Sequence, residues 1–239
     1  MNGDFPKVII ASENSSIVYF SDRPCAKTSS QISHTAKQLK NSLKNQLIDL
    51  VPSYNSILVI YNAFDIDHLT IEKEIHRAIA MWTPEKQASI GKSIELPVYY
   101  SIESGPDLKR LADHTNLTID ELISIHYQTE YTVYAMGFAP GFAYLGETDS
   151  RIAIPRLDTP RSHVPKGSVA IADRQTAIYP SQSPGGWNLI GLCPSVMFDP
   201  NQKPSTLVEV GDKVKFKPID RTQFLQLGGL EDLLSSPNQ

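Results

Sequence analysis

The chain has 239 residues and a formal net charge of −4, since 22 Lys and Arg stand against 26 Asp and Glu. This mild acidity argues against nucleic acid as a partner, because phosphate neutralisation needs an excess of basic surface. No apolar run approaches the roughly 20 residues of a membrane-spanning helix, and the first residues are not typical of a signal peptide. The two cysteines, Cys25 and Cys193, have no metal-site spacing. The sequence therefore predicts a cytoplasmic protein with no membrane partner, no metal site and no disulfide.

Strand and helix patterns alternate in the first part of the chain. The predicted elements are strands at 8–11 and 17–20, a helix at about 30–50, a strand at 57–61 and a helix that begins after Asp67. Apolar side chains recur at steps of three and four in the helical segments, and Pro52 ends the first helix. Two helices beside a small sheet predict an α+β N-terminal domain, which we assign to residues 1–93.

The rest of the chain is dominated by short strands. The predicted elements are a strand at 94–100, a helix from Pro106, a short helix opened by a capping box at Thr118 and Glu121, and strands at 130–136, 168–171, 177–179 and 213–216. Gly- and Pro-rich turns separate the later strands. This spacing predicts a small, mainly-β barrel or sandwich over residues 94–239.

Glycines and aromatic residues are interleaved at 137–146, in the sequence Gly-Phe-Ala-Pro-Gly-Phe-Ala-Tyr-Leu-Gly. Glycine lets the backbone turn or approach a ligand closely, and aromatic rings supply flat walls. We therefore treat Phe138, Gly141 and Tyr144 as candidate ligand-binding residues. The alternative is a corner of the barrel in which the rings are simply packed.

A proline followed by a cation recurs every five residues, giving Arg156, Arg161 and Lys166. This interval fits neither a straight strand nor polyproline II, so we predict a curved, proline-stiffened loop. Three such cations predict an anion site, because Arg captures carboxylate or phosphate with two hydrogen bonds. In the alternative interpretation, the cations pair with surface carboxylates, namely Asp149, Asp158 or Asp173.

A third motif runs from Ile178 to Trp187 and contains Tyr179, Pro184, Gly185 and Gly186. We predict that the Ser-Pro-Gly-Gly part is a turn whose free backbone N–H groups form an anion-binding concavity. Trp187 would wall such a site, or alternatively belong to the core.

Together the three motifs resemble one family. They read G-F-A-P-G-F-A-Y-L-G at 137–146, P-R-x-x-x-P-R-x-x-V-P-x-G-S-V-A-I at 155–171 and I-Y-P-x-x-S-P-G-G-W-x-x-I-G at 178–191. The pattern is similar to that of the allophanate hydrolase subunit 1 / KipI family, closely so over about residues 95–217. The resemblance implies a cyclophilin-like β-barrel of the carboxyltransferase type after a smaller α+β domain.

The resemblance also implies an activity. The chain would be the B subunit of an ATP-dependent 5-oxoprolinase, a hydrolase complex that opens the lactam 5-oxo-L-proline to L-glutamate. Its expected partners are the C subunit, of related fold, and the lactamase-like A subunit, and the chain alone would be inactive. ATP with Mg²⁺ is the expected co-substrate.

Roles for individual residues follow from this expectation. Arg156, Arg161 and Lys166 would bind carboxylate or phosphate oxygens, and 184–186 would line the site. Proton transfer would fall to His126 or His163. The predicted catalytic residues are therefore His126, Arg161 and His163.

A second activity known in the family uses the same residues. A KipI-like protein inhibits autophosphorylation of a sensor histidine kinase by binding it, with no chemistry of its own. Phe138, Phe142 and Trp187 would then be docking anchors. The sequence leaves both interpretations open, an enzyme component and a kinase inhibitor.

Two positions depart from the usual pattern of the family. Ser101 and Ile102 stand where the family usually has Gly-Gly. Leu192 stands where it usually has an arginine, in the sequence Gly-Leu-Cys-Pro at 191–194. That arginine would be one further contact for an anion.

Overall fold

The structure, a computed structural model, describes residues 5–23, 25–83 and 91–234. The chain divides into two compact units, residues 1–91 and residues 92–239. The sequence prediction places this boundary after residue 93.

The first unit combines a sheet with two helices. Its elements are β1 (Lys7–Ser12), β2 (Ser15–Tyr19), α1 (Ala26–Leu43), β3 (Leu47–Pro52), β4 (Ser56–Tyr61) and α2 (His68–Ala80). Within the described residues, the strands form a four-stranded antiparallel sheet in the order β1-β2-β4-β3. Ile32 and Leu39 of α1 and Ile71 and Ile75 of α2 are fully buried in one core with the sheet.

The first predicted helix is too long. α1 ends at Leu43, and Leu47–Pro52 is the edge strand β3, in which Leu50 lies opposite Val59 of β4. Apolar steps of three and four residues over so short a segment do not distinguish the two structures. The edge of β4 offers a row of unpaired backbone groups, and their pairing with 47–52 favours the strand.

The second unit contains the remaining elements. They are β5 (Ser93–Tyr99), α3 (Leu108–Thr115), α4 (Ile119–Gln128), β6 (Tyr131–Met136), β7 (Ala143–Gly146), β8 (Arg161–Val164), β9 (Ser168–Ala172), β10 (Gln175–Ile178), β11 (Ser183–Gly185), β12 (Asn188–Leu192), β13 (Lys213–Ile219) and α5 (Arg221–Gln226). Among the residues described, seven strands close into a barrel in the order β10-β7-β6-β13-β5-β12-β9. β5 and β13 are parallel, and their neighbours in the barrel pair antiparallel. The predicted fold class, an α+β unit followed by a mainly-β barrel, is confirmed.

The predicted helix starts are partly right. Asp67 caps α2, and Thr118 forms the predicted capping box at α4. By contrast, α3 begins at Leu108 rather than Pro106, and the side chain of Asp107 does not cap it. That carboxylate instead accepts hydrogen bonds from Arg161 and from the Leu189 amide.

The loop predicted at 155–166 and the turn predicted at 183–186 are also corrected. Arg161–Val164 forms β8, which pairs antiparallel with β11 and places Gly185 opposite Arg161. The fully buried side chain of Val164 anchors β8. Because the two segments satisfy each other's backbone groups, the glycine-rich segment does not form the predicted concavity of free N–H groups.

None of the helices within the described residues is long and apolar enough to span a membrane.

Candidate functional site

Five aromatic side chains from the sequence motifs lie together, and we call Phe138, Phe142, Tyr144, Tyr179 and Trp187 the aromatic cluster. The ring centroid of Phe142 lies 5.2 Å from Phe138, 4.9 Å from Tyr144, 5.3 Å from Tyr179 and 5.9 Å from Trp187. Phe142, Tyr179 and Trp187 are buried, whereas 65% of Phe138 is exposed. The cluster therefore has a packed base and an exposed rim.

Arg156 lies over this cluster. Its guanidinium carbon is 5.7 Å from the ring centroid of Trp187, a distance at which the ring face attracts a cation. Arg156 and Lys166 are both exposed. Within the described ranges neither forms a salt bridge. Both charges therefore remain available to an anionic ligand.

Tyr179 connects the cluster to the arginines. Burial raises the pKa of Tyr179 to about 12, against the opposing effect of the positive charges on Arg156 and Arg161. The hydroxyl is therefore protonated at neutral pH. A Cβ at Gly185 would lie 2.3 Å from Tyr179 Oη, so β11 can approach the hydroxyl only because this residue is glycine.

Arg161 forms a partly buried ion pair with Asp107. Its Nη2 donates to Asp107 Oδ1 at 2.8 Å, and 21% of the Arg161 side chain and 8% of the Asp107 side chain are exposed. The other carboxylate oxygen accepts a hydrogen bond from the Leu189 amide at 2.7 Å. The surface-pairing alternative is therefore wrong for Arg161, whose partner is a buried carboxylate far away in the sequence.

One nitrogen of Arg161 is left over. Nη1 is buried and has no hydrogen-bond partner among the described residues. Leaving a buried donor unsatisfied costs about 1–3 kcal/mol, and more when the group is charged. Arg161 Nη1 can therefore donate a hydrogen bond to a ligand in the site.

A second arginine lies close to the ion pair. Arg110 donates to the side-chain oxygen of Asn188, the residue before Leu189. Asn188 is fully buried, and its amide nitrogen donates to the carbonyls of Pro155 and Ile171 at 3.0 Å each. These bonds connect α3, β9, β12 and the segment that carries Arg156.

The remaining candidates of the second and third motifs lie near the surface. His163 is exposed on β8 two residues after Arg161, so both side chains lie on the same face of the strand. Its Nδ1 is 2.9 Å from the hydroxyl of Ser162. Pro184 of β11 is exposed. His163 therefore has the access to solvent that a proton-transfer group needs.

Two glycines of the motifs have different surroundings. Gly141 has a φ of +83°, and a Cβ there would lie 2.6 Å from the Cβ of Phe198, so it shapes the turn before Phe142 and faces away from the aromatic cluster. A Cβ at Gly186 would have only an ordinary contact, 3.5 Å from the Leu157 carbonyl oxygen.

His126 is not part of this site. Its Nε2 lies 2.9 Å from Thr176 Oγ1, which donates to the Ala170 carbonyl and so accepts from the imidazole. Nδ1 then accepts from the Tyr100 hydroxyl at 2.8 Å. Complete burial lowers the pKa of His126 to about 3. His126 is a neutral core residue with both nitrogens engaged, and the predicted proton-transfer role does not fit this position.

The departures from the family pattern lie outside the cluster. Leu192 is buried against Phe224 and Leu234, in a different apolar cluster. The carbonyl of Ser101 accepts a hydrogen bond from the Gly105 amide at 2.7 Å, within the turn that leads to Asp107. Neither position contributes a side chain to the aromatic cluster or to the Arg161–Asp107 pair.

No role could be assigned from the sequence to Asp107, Arg110 or Asn188, although Gly-Pro-Asp-Leu at 105–108 fits the family pattern. In the structure, a Cβ at Gly105 would lie 2.3 Å from the Ile190 carbonyl carbon. That glycine indicates a close approach between two segments. It does not identify the partner of Asp107.

The sequence model of the family described as "Carboxyltransferase domain, subdomain C and D" matches residues 6–208. The chain belongs to this family. Curated relatives include the 5-oxoprolinase B subunit of Bacillus subtilis (strain 168), 38% identical over 187 residues, covering 74% of this chain and 78% of the relative. The 5-oxoprolinase B subunit of Haemophilus influenzae is 39% identical over 182 residues, covering 76% and 83%. The resemblance found in the motifs is confirmed.

The fold also matches solved structures. The crystal structure of TTHA0988 superposes with a TM-score of 0.77 and 29% identity, covering 86% of this chain. The match covers 40% of the TTHA0988 chain, so the present chain spans less than half the length of that protein.

Proposed function

We propose that this chain is the B subunit of an ATP-dependent 5-oxoprolinase, which opens 5-oxo-L-proline to L-glutamate. The observation that carries the proposal is identity of 37–39% to three curated proteins that bear the name of this 5-oxoprolinase component. The aromatic cluster and its arginines supply the fitting chemistry, since the substrate joins a compact ring to a carboxylate.

Ring opening needs activation, because resonance stabilises the lactam. Transfer of the ATP γ-phosphoryl group to the lactam oxygen would release ADP and make the carbonyl carbon susceptible to water. The C–N bond would break after water adds, and a second water would release inorganic phosphate to leave L-glutamate. Phosphoryl transfer depends mainly on positioning and charge neutralisation. Arg156 and Lys166, exposed and without carboxylate partners among the described residues, suit phosphate oxygens, and Arg161 suits the substrate carboxylate.

We propose His163 as the residue that transfers protons. Both nitrogens of His126 are engaged in the core, so the role falls to His163, which is exposed on the same face of β8 as Arg161. Phe138, Tyr144 and Trp187 would contact the ring of the substrate. Tyr179 would hold β11 in place through Gly185.

ATP with Mg²⁺ is proposed as the co-substrate of the complex. The described residues contain no group of three or more His, Cys, Asp or Glu that fits a metal ion. We therefore assign no residue of this chain to the metal. Mg²⁺ commonly enters such reactions on the phosphates of the nucleotide.

The proposed partners are a 5-oxoprolinase C subunit of related fold and a lactamase-like A subunit. The names of the relatives identify those proteins as subunits. We propose that the isolated chain does not hydrolyse ATP or the lactam.

The kinase-inhibitor interpretation is not favoured. The curated relatives carry the enzyme-subunit name. Two of its three proposed docking anchors, Phe142 and Trp187, are 2% and 5% exposed and pack against each other. Only Phe138 has the exposure of a docking anchor.

The test is glutamate release from 5-oxo-L-proline by the chain combined with the two proposed partner subunits, with each component and ATP omitted in turn. We expect release only from the full mixture. Release that is unchanged when this chain is omitted would overturn the proposal.

A further inference from the structure

Asp107 holds Arg161 in one orientation. One carboxylate oxygen accepts from Arg161 Nη2 at 2.8 Å, and the other accepts from the Leu189 amide at 2.7 Å. The Asp107 amide in turn donates to the Leu189 carbonyl at 3.1 Å. Asp107 is therefore bonded to Leu189 of β12 through both its side chain and its backbone amide. Its carboxylate in turn holds the guanidinium of Arg161, which belongs to β8.

This orientation leaves one edge of the guanidinium without a partner. Nη1 of Arg161 is buried and makes no hydrogen bond to any described residue. A charged donor that is buried and unpaired is unfavourable unless something completes it. A ligand oxygen that accepts a hydrogen bond from Nη1 would remove this unfavourable contribution.

The charges around Arg161 favour an anionic acceptor. Asp107 carries one negative charge, whereas Arg161, Arg156 and Arg110 are positive. The charges of Arg156 and Arg161 both act on Tyr179 of the aromatic cluster. Arg110 donates to the side-chain oxygen of Asn188, the neighbour of Leu189 in the chain. A carboxylate, which a guanidinium binds with charge-assisted hydrogen bonds, fits this excess of positive charge.

We propose that Arg161 is a subsite for the carboxylate of the ligand, and that Asp107 is a positioning residue that aims Arg161 Nη1 at it. This assignment rests on the proposed function only for the identity of the ligand. The subsite itself requires a carboxylate on a compact ring next to the aromatic cluster.

Positioning and simple charge predict opposite results for Asp107→Asn. If only charge mattered, removing the negative charge would strengthen the binding of an anion. If Asp107 positions Arg161, the amide loses one of its two bonds, because its nitrogen cannot accept from either Arg161 Nη2 or the Leu189 amide. Arg161 then turns away and carboxylate binding weakens.

The experiment is calorimetric titration of the full chain with two pairs of ligands at constant ionic strength. The pairs are 5-oxo-L-proline with its carboxamide, and cyclopentanecarboxylate with cyclopentanecarboxamide. For the wild-type chain we expect each carboxylate to bind more tightly than its amide. Asp107→Asn should reduce this preference roughly tenfold to hundredfold, the range for a hydrogen bond between charged groups.

Arg161→Lys guards against a variant that fails to fold. Lysine keeps a positive charge beside Asp107 but has no second nitrogen at the position of Nη1. It should therefore lose the preference to a similar extent with little loss of thermal stability. Asp113→Asn is the matched control, since Asp113 is an exposed carboxylate on α3, the helix that follows Asp107. It should leave the preference unchanged.

Each result decides the matter. The proposal is overturned if the wild-type chain shows no preference for carboxylates, or if Asp107→Asn and Arg161→Lys keep it, or if Asp107→Asn strengthens carboxylate binding. Preference for cyclopentanecarboxylate that depends on Asp107, in a chain whose complex does not hydrolyse 5-oxo-L-proline, supports the subsite and overturns the proposed function. If the complex hydrolyses 5-oxo-L-proline but Asp107→Asn and Arg161→Lys keep the preference for carboxylates, the proposed function is supported and the subsite is overturned.

Discussion

Two polar groups of the second unit, His126 and the Arg161–Asp107 pair, differ in one respect. In the barrel core, both imidazole nitrogens of His126 have partners, and its ring stacks on Phe216 at a centroid distance of 4.6 Å. At the site, Arg161 is paired with Asp107 through one nitrogen while Nη1 has no described partner. A completed network contributes stability and leaves nothing for a ligand to bind. In the incomplete network, Arg161 Nη1 can still donate a hydrogen bond to a ligand. This difference supports the proposed substrate site at Arg161.

Arg161→Gln should have the largest effect on stability and turnover, because it removes the ion pair with Asp107 and the donor Nη1, which is unpaired among the described residues. It leaves Asp107 buried without its cation, which costs about 3–5 kcal/mol of unfolding free energy. Turnover of the complex should fall roughly tenfold to hundredfold through loss of a charged hydrogen bond to substrate. Denaturant unfolding and kcat/KM for 5-oxo-L-proline measure the two effects.

The control for that variant is Arg151→Gln. Arg151 pairs with Asp149 at the surface, with 64% of its side chain exposed. An exposed pair of this kind contributes at most about 1 kcal/mol. Equal losses in the two variants would mean that the Arg161 pair is no more than a surface contact.

His126 should instead make the fold sensitive to acid. The unfolded chain protonates this imidazole below about pH 6.5, whereas the folded chain does so only near pH 3. Unfolding therefore takes up a proton between these values, and stability falls as the pH is lowered through this window. The loss at the acid end is up to about 4 kcal/mol.

Fluorescence of Trp187 in a Trp82→Phe background reports unfolding of the second unit alone. His126→Gln should flatten the pH dependence, and His163→Gln, which changes an exposed histidine, should leave it as in the wild type. A wild-type chain whose second unit is equally stable at pH 6.5 and pH 4 would contradict a neutral, buried His126.

Gly185→Ala should have an intermediate effect on the wall of the site. The new Cβ would lie 2.3 Å from Tyr179 Oη. Overpacking of this kind costs about 1–3 kcal/mol. Removing the hydroxyl in the double variant Gly185→Ala/Tyr179→Phe should recover part of the loss, as measured by denaturant unfolding. Gly186→Ala is the matched control, because its Cβ has room. Similar losses at 185 and 186 would show that the Tyr179 contact is not the cause.

Arg156→Gln should have the smallest effect. Its guanidinium is exposed over the face of Trp187 and is proposed to contact a phosphate oxygen of ATP. An exposed, solvent-screened ion pair contributes at most about 1 kcal/mol, so we expect KM for ATP to rise no more than roughly fivefold. A loss as large as that of Arg161→Gln would remove the distinction between the rim of the site and its partly buried ion pair.

Much of the fold could be predicted from local patterns. Residues such as Asp67 and Thr118 signal helix starts through contacts with the next few residues, and both caps are confirmed. The local pattern wrongly extends the first helix to about residue 50, because the segment 47–52 forms a strand only by pairing with the edge of β4.

The site divides in the same way. The motifs contain the aromatic cluster and Arg161, because glycine and aromatic residues are unusual enough to be noticed in sequence. The partner of Arg161 is Asp107, 54 residues away, and only the closure of the barrel brings it there. Equally, nothing in the sequence separates the buried His126 from the exposed His163, since burial depends on how α4 packs on the barrel.

The most direct test compares glutamate and phosphate release by the reconstituted complex containing the wild-type chain, the Arg161→Gln chain or no chain. We expect glutamate and phosphate to be released together with the wild-type chain. Both rates should fall together with Arg161→Gln, and both should vanish without the chain. Coupled release at an undiminished rate in the absence of the chain would contradict this expectation.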